Sequence, residues 1–159
     1  MADKLQPQNR NISQSGIRNV FLLLGVPIFS ALSAEELVPV AEVSREVSFA
    51  AWEVIYREGE PGQHLFVIIE GEVTLLREGR EIALLSKRDF LGELSVLDNA
   101  PRIDSAVARM PTTLLAIDSY TFERLLHVYP ALCQAVIHVL TDRLRSANRR
   151  RRLAADGEP

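Results

Sequence analysis

The chain has 159 residues, 47% hydrophobic and 25% charged, which suits one compact soluble domain with a real core and short tails. Its formal net charge of −3 argues against a general binder of nucleic acid or acidic membranes. Cys133 stands alone, so no internal disulfide can form, and His64, His127 and His138 are too scattered to suggest a metal site.

Residues 1–16 are polar and aperiodic, and a flexible lead-in is expected there. Residues 17–45 read as a helical section. Within it "VFLLLGVPIF" (20–29) is too short to cross a membrane and is broken by Gly25 and Pro27. No small-residue cleavage pattern follows it, so a soluble, cytoplasmic protein is expected. Ser33-Ala34-Glu35-Glu36 forms a capping box, in which Ser33 accepts from a free backbone N–H and Glu36 reaches back. The helix it opens carries Leu37, Val40 and Ala41 on one face.

Between residues 46 and 117 the pattern changes to short runs of β-branched and aromatic residues, among them "VIY", "LFVIIE", "EVTLL" and "TTLLAI". Glycine and proline turns recur about every 8–12 residues, as in an antiparallel sandwich or barrel. Six to eight strands are expected, in a jelly-roll barrel (a double-stranded β-helix). Trp52 and Tyr56 read as packing inside it. From 118 to 148 the helical period returns. Asp118 or Ser119 caps a helix through Val128, and Pro130 suits the first turn of another. That last helix carries Leu132, Val136, Val139, Leu140 and Leu144 on a stripe that must meet the barrel or a second copy of the chain. The predicted fold class is therefore mainly β with flanking helices, as a single domain over 17–148. Residues 149–159 read as a basic, then acidic, tail.

The densest chemistry lies in "FLGELSVLDNAPRID" (90–104). Gly92 precedes Glu93 at the start of a short helical segment, where unpaired N–H groups and the dipole favour an anion. A phosphate could sit on the amides of Leu94 and Ser95, with glycine permitting close approach. Arg102 offers a charged planar fork for phosphate oxygens. Glu93, an acceptor when ionised, suits a hydroxyl of the same ligand. The bland alternative is a structural ion pair between Glu93 and Arg102.

These residues resemble the phosphate-binding cassette of cyclic nucleotide-binding domains, which reads roughly F-G-E-L-A-L-L-x-x-x-P-R-A-A-T-V. Three further blocks are similar to the family in the right order: "VPIFSALSAEEL" (26–37), "REGEPGQHLFVIIEGEVTLLREG" (57–79) and "YPALCQAVIHVLTDRLR" (129–145). The resemblance spans roughly residues 20–148. It implies that Glu93 bonds the ribose 2′-hydroxyl and that Arg102 pairs with the cyclic phosphate, helped by the amides of Ser95 and Ile103. It places Ile82 and Leu91 near the ribose or base, and draws a base cap from Arg143 or Leu144. Members that prefer cGMP commonly carry Thr or Ser after the arginine; Ile103 has no hydroxyl, so cAMP is the expected ligand, with cGMP second. The resemblance also implies that Val96 relays cassette movement to the helices after Ile117.

Two positions depart from the family pattern. Arg88 stands where glycine is usual, and a turn that accepts arginine is expected not to need positive φ. Asp104 stands where alanine is usual and is expected to share the pocket with Arg102. A carboxylate ~6 Å from a phosphate, at an effective dielectric of ~20, costs about 3 kcal/mol. Arg88 would neutralise Asp104 if the two were close.

The predicted function is a stand-alone regulatory domain, not an enzyme, that binds cAMP and signals through its C-terminal helices to a protein effector or a second copy, a homodimer being compatible with the apolar stripe. The alternative is a ligand-free family member acting as a dimerisation or docking module, with Glu93 and Arg102 paired to each other and side chains filling the pocket. A metal-dependent enzyme on the same barrel would need a histidine cluster, and only His64 lies in the β region. The arginine-rich run 143–152 reads as a solvated helix end, with too few residues after it for a helix-turn-helix DNA reader.

Overall fold

The computed structural model describes residues 12–155. The chain opens with α1 (Gln14–Leu24), a 3-10 turn (Pro27–Phe29) and α2 (Ala34–Val43). Eight strands follow: β1 (Arg45–Phe49), β2 (Val54–Tyr56), β3 (His64–Glu70), β4 (Val73–Arg77), β5 (Arg80–Leu85), β6 (Phe90–Leu91), β7 (Ser105–Ala108) and β8 (Thr112–Asp118). Between β6 and β7 lies α3 (Glu93–Asp98), and α4 (Ser119–Val128) and α5 (Pro130–Ala155) close the chain.

The helix boundaries follow from capping chemistry. The Ser33–Glu36 capping box forms in both directions, and Leu37, Val40 and Ala41 are buried as their spacing predicts. Asp118 caps α4 by accepting from the Thr121 backbone N–H at 2.9 Å. Two expectations shift. Ser13 caps α1 by accepting from the Gly16 N–H, so helix begins inside the expected lead-in. At the other end, α5 runs on through the arginine cluster to Ala155, because Arg and Ala are strong helix formers and no Gly or Pro interrupts them. Residues 1–11 of the lead-in and 156–159 of the tail lie outside the described residues.

The strands form two antiparallel four-stranded sheets, ordered β1-β8-β3-β6 and β2-β7-β4-β5. They face each other as a jelly roll without closing into a barrel. Alternation along β3 and β8 explains how the first sheet is buried on both sides. Leu65, Val67, Leu115 and Ile117 point towards the helices and pack with Leu23, Phe29, Leu37, Phe122 and Leu132. Ile68 and Leu114 point the other way and meet Tyr56, Val73 and Ala106 of the second sheet.

The 90–104 segment straddles these two cores. Phe90 joins the helical core and Leu91 the intersheet core. Gly92 then turns the chain at φ +81, and Val96 on α3 returns to the helical core. A Cβ at Gly92 would stand 2.9 Å from the His64 carbonyl oxygen and collide with Arg102, so this turn requires glycine.

Arg88 corrects one expectation: it holds φ +74, the left-handed conformation glycine would adopt. The turn is pinned from both sides. The Arg88 N–H donates to the Ile68 carbonyl at 2.9 Å, and the Ile68 N–H donates to the Asp89 carbonyl at 2.9 Å. Trp52 corrects another. It is 71% exposed at φ +67, in the turn between β1 and β2, and packs in neither core.

Candidate functional site

A cavity of about 430 Å³ lies between the cassette, the second sheet and α5. All eight residues singled out from sequence line it: Ile82, Leu91, Gly92, Glu93, Leu94, Ser95, Arg102 and Ile103. Arg143 and Leu144, the expected base-cap candidates, line it from α5. One end is polar, around Arg102, Glu93 and Asp104. The rest of the lining includes the apolar side chains of Leu75, Ile82, Leu91, Leu140 and Leu144.

Arg102 sits in the loop before β7 and is only 5% exposed. Its backbone is fixed by a reciprocal pair: the Gly59 N–H donates to the Arg102 carbonyl and the Arg102 N–H to the Glu60 carbonyl, both at 2.8 Å. The guanidinium donates to the carbonyls of Gly92 and His64, each at 2.8 Å. It stacks over the Tyr56 ring, 4.2 Å from the centroid, where the ring face attracts a cation. Gly62 admits this packing, since a Cβ there would collide with Ser95 and stand 3.1 Å from the Arg102 guanidinium carbon. The Arg102 Nε is buried and has no hydrogen-bond partner among the described residues. Burial pushes the Arg102 pKa down, with the nearby carboxylates opposing that shift.

Glu93 does not pair with Arg102. Its Oε1 accepts from Nη1 of Arg143 at 2.6 Å, while Nη2 of Arg143 donates to the Phe90 carbonyl at 3.0 Å. The Arg143 guanidinium also lies 4.1 Å from the centre of the Phe90 ring. Two groups therefore hold α5 against the cassette through one arginine. Burial raises the Glu93 pKa, and Arg143 pulls it back. The Glu93–Arg102 pair expected of a ligand-free module does not form: the carboxylate turns to Arg143 of α5.

Asp104 faces the same cavity as Arg102, as expected, but its neutralising partner is different. Arg88 lies beside Gly25, across from α1. The cation at Asp104 is Arg77, whose Nη2 is 4.0 Å from Oδ2 and whose Nε donates to the Ile103 carbonyl at 3.2 Å. The Tyr56 hydroxyl donates to Oδ1 at 3.2 Å. Burial raises the Asp104 pKa, against the pull of Tyr56, Arg77 and Arg102. Burial likewise pushes the Tyr56 phenol far above its ordinary range, and Asp104 adds to the shift.

Tyr56, Leu75 and Arg77 are cavity residues that sequence reasoning missed. The period of two held a clue for β4. Val73 is an inward apolar residue, and Leu75 and Arg77 follow on its face. Tyr56 had no such clue, because its place under Arg102 depends on the β2–β7 register, Tyr56 opposite Ala106.

Residues 46–129, more than half of the chain, match the family model described as the cyclic nucleotide-binding domain. The chain belongs to this family. It is 32% identical over 101 residues to the cAMP-dependent protein kinase regulatory subunit of Hypocrea atroviridis, covering 64% of this chain and 22% of that one. It is 28% identical over 132 residues to the CRP-like cAMP-activated global transcriptional regulator of Mycobacterium tuberculosis, covering 80% of this chain and 59% of that one. Among solved structures, the catabolite activator protein of Thermus thermophilus superposes with a TM-score of 0.71 at 30% identity, covering 81% of this chain and 63% of that one. The chain thus spans between about a fifth and three fifths of these curated relatives. Like its family, it has the mainly β fold with flanking helices that its sequence predicts. Among the described residues, no helix is long and apolar enough to cross a membrane, and no cluster of His, Cys, Asp or Glu could hold a metal.

Proposed function

We propose that the cavity binds a cyclic nucleotide, cAMP in preference to cGMP, and that α5 carries the signal. The observation that supports this best is the polar end of the cavity. A buried guanidinium lies there beside the backbone of a glycine-opened helix, and its Nε–H has no partner among the described residues. A cyclic phosphate supplies acceptors for that N–H and for the amides of Ser95 and Ile103. Glu93 takes the ribose 2′-hydroxyl. Leu91 and Ile82 pack against the ribose and base, with Arg143 or Leu144 closing over the base. Gly92 and Leu94 shape the turn that brings these groups together.

The preference for cAMP rests on Ile103, which offers no hydroxyl to a guanine, and on the named ligand of the kinase and transcriptional relatives. Signalling through α5 rests on Arg143. A ribose hydroxyl at Glu93 competes with the Arg143 pair that holds α5 against the cassette. Val96, buried between cassette and helices, gives a second path. The output is a changed surface of α5, on which Ile137 is an exposed apolar residue that suits an effector protein or a second copy. In this reading the chain is a sensor and not an enzyme.

Calorimetric titration with cAMP and then cGMP tests it. One saturable site, tighter for cAMP, is expected. The same affinity for both nucleotides would remove the specificity argument, and no heat with either would remove the binding.

A further inference from the structure

The cavity holds a charged group that cyclic nucleotide recognition does not require. Asp104 is 9% exposed and lies on the phosphate side, two residues from Arg102. Several charged or titratable groups from surrounding elements bear on it: Tyr56 of β2, Arg77 of β4, Arg102 of the preceding loop and, on the negative side, Glu58 from the loop after β2 and Glu93 of α3. Tyr56 fixes its orientation, since the phenol donates to Oδ1 and the same ring carries the Arg102 guanidinium.

The charges lining the cavity can be counted. Three arginines (Arg77, Arg102, Arg143) face two carboxylates (Glu93, Asp104), leaving one net positive charge. A cyclic phosphodiester carries a single negative charge. A linear phosphate monoester carries about −1.5 to −2 near neutral pH, since its second ionisation lies near pH 6. The cavity therefore balances the cyclic ligand, whereas the linear one brings surplus negative charge to a buried carboxylate. In a site of low effective dielectric that surplus is costly.

We infer that Asp104, held by Tyr56 and Arg77, is a specificity-determining charge filter that excludes the linear nucleotide monophosphate from a site open to the cyclic one. The filter rests on the cyclic-nucleotide reading above and adds a residue to it. Its effect is to keep the sensor from responding to the product of cyclic phosphodiester hydrolysis.

The test is calorimetric titration of the unsubstituted chain, Asp104→Asn and Arg77→Gln with three ligands at slightly alkaline pH: cAMP, 5′-AMP, and the methyl ester of 5′-AMP, which is linear but singly charged. Asp104→Asn keeps an acceptor for Tyr56 while removing the charge. It is expected to narrow the cAMP to 5′-AMP affinity ratio by about tenfold, the equivalent of ~1.4 kcal/mol. The methyl ester should gain no more than cAMP gains. Arg77→Gln, which exposes the Asp104 charge, should widen the 5′-AMP ratio. An unmoved ratio in Asp104→Asn, or an equal gain by the methyl ester and 5′-AMP, would overturn the filter while leaving cAMP binding intact. Failure of the unsubstituted chain to bind cAMP would overturn the reading beneath it, and the filter with it.

Discussion

Burying an arginine and two carboxylates around one cavity sets opposing demands on single residues. Glu93 has 7% of its side chain exposed and depends on Arg143, which is 37% exposed. Arg143→Ala leaves a buried carboxylate without its cation. Loss of a buried partner costs about 3–5 kcal/mol, and partial exposure of Arg143 reduces that to about 1–2 kcal/mol. Urea unfolding would measure it, and an unchanged midpoint would show that the pair contributes nothing. Asp104 makes a pH prediction. Its folded pKa lies above the unfolded value of about 3.9, so its favourable contribution is complete below that value and is lost as pH rises through the folded pKa. Asp104→Asn should therefore be the more stable chain at neutral pH, with the difference closing as pH falls. Thermal unfolding of both chains across acid pH checks this; a gap that widens in acid would contradict it.

At the scale of elements, turns and caps decide where the cassette sits. Arg88 in the left-handed region costs about 1–2 kcal/mol, and glycine there forfeits about 0.5–1 kcal/mol in the unfolded chain. Arg88→Gly is thus expected to raise stability by about 0.5–1 kcal/mol, seen as a higher midpoint of denaturation; a lower midpoint would mean that contacts of the Arg88 side chain outweigh the strain. Asp118 caps α4 twice over, to the N–H and hydroxyl of Thr121, and Asp118→Ala should cost about 1 kcal/mol in the same assay. Elements of this kind were legible in sequence. The capping box at Ser33, the Asp118 cap and the change from a period of two to 3.6 near residue 118 are local patterns, and each stands where its residues predict. What was not legible depends on partners distant in the chain. Trp52 reads as core by hydrophobicity, yet its turn directs it outwards. The partners of Glu93 and Asp104 come from α5 and β4, and no spacing within 90–104 could announce Arg143 or Arg77.

The whole molecule places the cavity between the double sheet and a long helix that is anchored in the helical core by Leu132 and Val136 and tied to the cassette by Arg143. Rigid support comes from β3 and β8, buried on both faces, so a ligand can move the part of α5 beyond Val136 more readily than the sheet. Two-dimensional ¹H–¹⁵N NMR during a cAMP titration tests the central claim most directly, because the Arg102 Nε–H and the cassette amides report from inside the cavity. Saturable, one-to-one shifts of the Arg102 Nε–H, of the amides of Gly92 to Ser95 and of Ile103, with slower shifts along α5 absent from Arg102→Ala, are the predicted result. An unmoved Arg102 Nε–H at millimolar cAMP, or shifts confined to another surface, would contradict it.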